Sequence, residues 1–192
     1  MQAPSISATD LACRRGDRVL FRGLSLTLES GEACHVTGPN GVGKSSLLRI
    51  VAGLLPAYAG SVAVQGPIGL IDERPALDPQ LPLGKALAFW ARLDGSVEDA
   101  TGALGLTDLL DVPVRYLSTG QRKRAALARL VGQQASVWLL DEPLNGLDSQ
   151  AVAQVERMAA AHCSAGGICL IASHQPITLP GLRQVALAAF AG

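Results

Sequence analysis

The segment that most constrains this chain is Gly38-Pro39-Asn40-Gly41-Val42-Gly43-Lys44-Ser45, which fits the pattern G-x-x-x-x-G-K-[ST]. Such a loop works only between particular neighbours, and both are present. A compact apolar run, ACHVT at 33–37, precedes it, and a helical pattern, SSLLRIVAGLL at 45–55, follows and closes near Gly53 and Pro56. Strand, glycine loop and helix in that order form the first half of a βα unit. The glycines let successive backbone N–H groups curl around a β-phosphate, and the helix beginning at Ser45 and Ser46 aims its N-terminus at the same anion. Lys44 is placed to reach β- and γ-phosphates and the Ser45 hydroxyl to ligate Mg²⁺.

Around this unit the chain alternates between strand and helix patterns. Residues 6–12 and 20–28 read as strands on either side of an Arg15-Gly16-Asp17 turn, and residues 61–64 and 68–71 as short strands. Proline and glycine crowd 74–84; helices follow at 85–92 and within 97–104. Residues 119–131 read as a basic amphipathic helix, 136–140 as a buried strand, 149–161 as a helix, 168–172 as a buried strand, and 185–190 as a last short strand. The pattern predicts an α/β fold with a mainly parallel, twisted sheet and a small helical insertion.

Composition narrows the class. At 192 residues the length suits one domain. Lys plus Arg number 16 and Asp plus Glu 16, a net charge of +0 that argues against a generic polyanion binder. Only 17% of residues are charged, which fits either a surface partly covered by a partner or an Ala- and Gly-rich bias. No run approaches the roughly 18 apolar residues of a spanning helix, and the first residues lack the basic and apolar regions of a signal peptide. Cys13, Cys34, Cys163 and Cys169 are scattered without zinc-ligand spacing, as expected of reduced thiols.

Three other segments carry candidate chemistry. The strand at 136–140 runs into Asp141 and Glu142, placing Asp141 to hold Mg²⁺ through water and Glu142 to polarise an attacking water. His174 follows the strand at 168–172, on the rim where ligands of parallel sheets bind, and can contact a γ-phosphate or the water. Leu117-Ser118-Thr119-Gly120-Gln121 precedes Arg122-Lys123-Arg124. This stretch is either a second anion loop or an N-capped helix with a solvated basic face. Asn145-Gly146-Leu147-Asp148 reads as a turn with Asp148 near the next helix cap, and His35 and His162 as structural or surface residues.

Taken in order, GPNGVGKS at 38–45, LSTGQ at 117–121, WLLDEP at 138–143, NGLD at 145–148 and SH at 173–174 resemble the nucleotide-binding subunit of ABC transporters over essentially the whole chain. More narrowly, CRRGDRVLFRGLSLTLESGE, the short chain and DERPALDPQLPLGKALAFWARLDG resemble the ATP-binding export subunit of the cytochrome c biogenesis system, described as a haem exporter. The resemblance implies a P-loop NTPase fold, with 1–72 and 114–192 as a mainly parallel core plus an antiparallel β subdomain and 73–113 as the helical subdomain, and ATP and Mg²⁺ as cofactors. It implies Glu142 as catalytic base, His174 as switch histidine, and a head-to-tail homodimer in which Ser118, Gly120 and Gln121 face the opposite subunit's γ-phosphate and Asp148 carries communication across the interface. It further implies docking of 73–113 on membrane-embedded partners of cytochrome c maturation, a peripheral place on the cytoplasmic face of the bacterial inner membrane, and no nucleic-acid partner. The competing readings are another small ABC exporter and a non-transport ABC ATPase. Three departures stand out: Thr119 replaces the usual glycine, Glu73 stands where a Mg²⁺-facing glutamine is usual, and Arg14-Arg15 replaces the aromatic that stacks on adenine, leaving Arg15 as the candidate stacking residue.

Overall fold

Period-two alternation of apolar residues near the N-terminus produces a three-stranded antiparallel sheet. In the computed structural model, which describes residues 2–72, 75–94 and 98–192, β1 (Ser5–Arg15) and β2 (Arg18–Glu29) form a hairpin and β4 (Ala59–Gln65) pairs with the other edge of β1. Ile6, Ala8 and Leu11 of β1 and Leu24, Leu26 and Leu28 of β2 are buried. The β1 ladder shifts register near Asp10, where β4 crosses so closely that a Cβ on Gly60 would stand 2.4 Å from the backbone oxygens of Thr9 and Asp10. Only glycine fits there.

The second sheet is parallel throughout, in the order β5 (Ile68–Ile71), β6 (Val137–Asp141), β7 (Ile168–Ala172), β3 (Ala33–Thr37), β8 (Arg183–Ala186). Every residue of β6 and β7 is buried, as continuous apolar runs demand when both sheet faces are covered. Alternate side chains feed two cores. Val137, Leu139, Ile168 and Leu170 pack with the antiparallel sheet and α1 (Lys44–Val51). Trp138, Leu140, Cys169 and Ile171 pack with α4 (Thr119–Gly132) and α5 (Ser149–Ser164).

The expected insertion is helical: α2 (Leu83–Asp94) and α3 (Glu98–Ala103) are followed by 3₁₀ turns at Thr107–Leu109 and Val114–Tyr116. Leu83, Leu87, Leu104 and Leu106 anchor it on the α4 side of the core, whereas Phe89, Leu93 and Tyr116 are exposed. Arg129 of α4 ties the two parts together. Its guanidinium lies 3.5 Å over the Trp90 ring and 3.7 Å from Asp94, and burial holds its pKa below the usual arginine value.

The strand expected at 185–190 needs correction. The strand is Arg183–Ala186, and Leu187–Phe190 coils into a 3₁₀ turn. The run is apolar because Leu187 and Phe190, three residues apart, pack on the same core, a spacing that suits a tight helix rather than a strand.

Candidate functional site

The C-terminal ends of β3, β6 and β7 open onto one cavity of about 330 Å³. The glycine loop forms one wall, with Asn40, Gly41, Gly43 and then Lys44, Ser45 and Ser46 at the start of α1; Glu142, Asn145 and His174 form the other. Gly43 has φ +114, and a Cβ there would come within 3.0 Å of the Phe21 ring, so the antiparallel sheet itself demands glycine. Val42 points away from the cavity into the core, its Cγ1 lying 3.0 Å from where a Cβ on Gly38 would stand. Lys44 is 6% exposed, and its Nζ donates to the carbonyls of Gly38 at 2.8 Å and Pro39 at 3.3 Å. The loop thus presents a dry ammonium rather than a solvated one.

Asp141 ends β6 and is buried without lining the cavity, while Glu142, on the wall opposite the glycine loop, begins the turn after it with φ +48. A left-handed glutamate before a proline is an uncommon, strained backbone. It is held by the Glu142 amide, which donates to Ala172 O at 2.7 Å. Glu142 Oε1 lies 3.8 Å from Lys44 Nζ, and Oε2 accepts from His174 Nδ1 at 2.9 Å and from the His174 amide at 3.4 Å. Because an ionised carboxylate only accepts, Nδ1 carries the proton in this pair, and a neutral ring keeps Nε2 as an acceptor. Lysine, carboxylate and imidazole therefore stand in one chain of contacts beside the loop.

The second loop lies apart from this cavity. Ser118 caps α4 in a full capping box: its hydroxyl accepts from the Gln121 amide at 3.2 Å, and Gln121 Oε1 accepts from the Ser118 amide at 2.7 Å. A Cβ on Gly120 would be 2.7 Å from the Gly146 carbonyl, so the loop rests directly on the 145–148 turn. Gly146, with φ +78, leaves room for Thr119, whose Cγ2 would stand 3.4 Å from a Cβ there. Asp148 caps α5 by accepting from the Ala151 amide at 2.8 Å. Among the adjoining residues that sequence reasoning missed is Gln175, whose Nε2 donates to Asn145 Oδ1 at 3.3 Å and links the histidine loop to the same turn.

One expectation changes. The basic triplet of α4 is not a solvated face. Arg122 donates to Leu117 O at 2.8 Å, Arg124 to Leu104 O at 3.0 Å, and Lys123 is buried with its Nζ donating to the backbone carbonyl of Glu142. Arg15 does not line the cavity; it closes the β1–β2 hairpin opposite Arg18, Leu20 lines the cavity instead, and Arg14 stacks 4.7 Å over Tyr58. Glu73 lies outside the described residues. His35 is buried with Nε2 3.1 Å from Ser173 O, and His162 stacks on Trp138, both away from the cavity.

The ABC transporter family profile matches residues 21–145. The chain belongs to the ABC transporter family. Within it, this ABC-type ATPase is 56% identical to the cytochrome c biogenesis ATP-binding export protein CcmA of Novosphingobium aromaticivorans over 99% of both chains. It is 49% identical to the protein of the same name from Sphingopyxis alaskensis, over 94% of this chain and 95% of that one. A solved ATP-binding ABC transporter protein of Pyrococcus furiosus shares the fold with a TM-score of 0.85 at 22% identity, covering 98% of this chain and 100% of that chain. CbiO1 of Clostridium perfringens, part of the CbiONQ ABC transporter complex, superposes with a TM-score of 0.73 at 24% identity over 91% of this chain and 80% of that one. Family membership implies use of a nucleotide with Mg²⁺. No helix among the described residues is long and apolar enough to cross a membrane.

Proposed function

We propose that the chain is the ATP-hydrolysing subunit of an export complex of cytochrome c biogenesis, of the haem exporter type. The observation that carries the reading is the contact chain Lys44–Glu142–His174 at the mouth of the glycine loop. The backbone of 38–43 and Lys44 bind the β- and γ-phosphates of ATP. Glu142 accepts a proton from the attacking water, and His174 orients the carboxylate through Nδ1–H while its Nε2, an acceptor in the neutral ring, takes a hydrogen bond from that water. The Ser45 hydroxyl, which lines the cavity, and the Asp141 carboxylate at the end of β6 are hard oxygens and few in number, which suits Mg²⁺. When bound, that ion neutralises charge developing on the phosphoryl oxygens. Glu73 adds a further Mg²⁺-facing carboxylate in this reading, which a shift of the Mg²⁺ dependence of turnover in Glu73→Gln would reveal.

The working unit is a homodimer. Ser118, Gly120 and Gln121 lie outside their own chain's cavity, and they serve the γ-phosphate held by the other copy, with Asp148 at the junction. The exposed Phe89, Leu93 and Tyr116 support docking of the helical region on membrane-embedded partner subunits, which would hold the chain peripherally at the cytoplasmic face of the inner membrane. Net charge of +0 supports a protein rather than a nucleic-acid partner. The test is dimerisation by light scattering in a Glu142→Gln background. ATP-dependent dimers that Ser118→Arg abolishes are expected; normal dimerisation and hydrolysis by Ser118→Arg with the partner subunits present would overturn the cross-subunit reading.

A further inference from the structure

We infer that Lys123 is a positioning residue for the Glu142 carboxylate and the link through which the 118–121 loop acts on it. The inference rests on the reading of Glu142 as the base. Lys123 lies one turn into α4 and is 8% exposed, a burial that lysine tolerates only with an acceptor for its ammonium. Among the described residues, the backbone carbonyl of Glu142 is such an acceptor. The same carbonyl faces the Asn145 amide at 3.4 Å, and the Glu142 amide is bound to Ala172 of β7. The two peptide groups flanking the left-handed Glu142 are thus pinned by α4, by β7 and by the turn that ends at Asn145. A strained backbone persists where its surroundings over-determine it, and this one aims the carboxylate at Lys44 and His174.

The helix that supplies the ammonium is the helix that Ser118 and Gln121 cap, and its first turn rests through Gly120 on Gly146. One rigid element therefore carries, within one turn, the loop that meets the partner's nucleotide and the donor that sets this chain's own carboxylate. A shift of α4 when the 118–121 loop engages phosphate reaches Glu142 through the Lys123 bond and the 142–145 turn. Lys123 is not among the residues that line the cavity beside the glycine loop, so its effect falls on turnover and not on nucleotide affinity.

The experiment uses the full chain, with steady-state hydrolysis of Mg-ATP and equilibrium ATP binding measured on the same preparations. Lys123→Met, which fills the site without a donor, is expected to lower kcat by about tenfold or more with ATP affinity within about twofold of the parent. Lys123→Gln, which keeps an N–H donor, is expected to fall between the two. In a Glu142→Gln background, Lys123→Met is expected to change the residual rate by less than about twofold, because no base remains to position. A kcat within about twofold of the parent in Lys123→Met overturns the inference, as does a joint fall of kcat and affinity or a fully additive loss in the Glu142→Gln background. If Lys123→Met does not fold, Lys123→Gln decides: lowered kcat at unchanged affinity supports positioning, and unchanged kcat overturns it. Near-normal turnover in Glu142→Gln alone would instead remove the base assignment, and this inference with it; the ordinary loss there with an unaffected Lys123→Met overturns this inference alone.

Discussion

The two ends of the parallel sheet are made by the same buried strands and hold opposite kinds of chemistry. At the C-terminal end, Lys44, Asp141 and Glu142 are all buried, and Glu142 adds a left-handed backbone. Buried ionised groups are costly unless paired, and such strain serves no packing purpose. At the N-terminal end, where β6 and β7 begin, Trp138 and His162 stack with centroids 4.0 Å apart at 9°, and His162 Nε2 lies 3.2 Å from Ser136 O. Burial pushes the His162 pKa below its usual range, keeping the ring neutral, and the cavity of about 890 Å³ beside it is mostly apolar. One end tolerates charge and strain for the sake of a ligand, as the ligand-binding rim of a parallel sheet does. The other is optimised for packing.

If the comparison holds, substitutions at the first end cost activity and those at the second cost stability. The largest effect belongs to Glu142→Gln. Turnover should fall by about 10²–10⁴-fold while ATP still binds and Tm stays level or rises, because a buried charge leaves a strained position. Steady-state hydrolysis and a thermal melt check both halves. Lys44→Ala should come next, weakening ATP affinity by about 10–100-fold through loss of a charge-assisted phosphate contact, as read by equilibrium binding. A large drop in Tm without loss of affinity would break the assignment of strain to function.

Gly167→Ala probes the other end. Its Cβ would stand 2.1 Å from His162 Nε2, within a ring that cannot swing away without leaving Trp138. A loss of about 1–3 kcal/mol in denaturant titration is expected, with turnover per folded molecule unchanged. The smallest effect is a pH slope. The folded state holds His162 below its ordinary pKa, so the unfolded chain binds the extra proton first. Stability from this group is complete above about pH 6.5 and is lost as pH falls below it towards the folded value. His162→Phe should keep the stack and flatten the acid side of the Tm–pH curve relative to the parent; parallel curves would show that the ring titrates alike in both states.

Much of this site was legible before any fold was considered. The loop at 38–45, the strand ending in Asp141 and Glu142, and His174 after a second buried strand each carry a local pattern, and the parallel sheet brings their ends together. The legible part is the part that local chemistry dictates: glycines where backbone must curl, apolar runs where both faces are covered, and a serine three residues before Gln121 where a helix must start. Where Arg15 lies was not legible, because an aromatic-to-arginine replacement says nothing of where a hairpin end points; Arg15 closes the hairpin opposite Arg18, and Leu20 lines the cavity. The last strand failed because an apolar run has the same composition whether its residues alternate or coil, and only the packing of Leu187 and Phe190 decides.

By itself, then, the sequence determined the order of strand, glycine loop and helix, the two-faced burial of β6 and β7, and the residue types that face a phosphate, since all of these follow from side-chain size, charge and period along the chain. The tertiary structure alone decided that Lys123, set in a run of basic residues that reads as solvated, is buried against the Glu142 carbonyl, and that Gly120 needs to be glycine because Gly146 lies against it. Those outcomes depend on contacts between residues 19 and 26 positions apart, and no local pattern encodes which backbone group a folded neighbour will present.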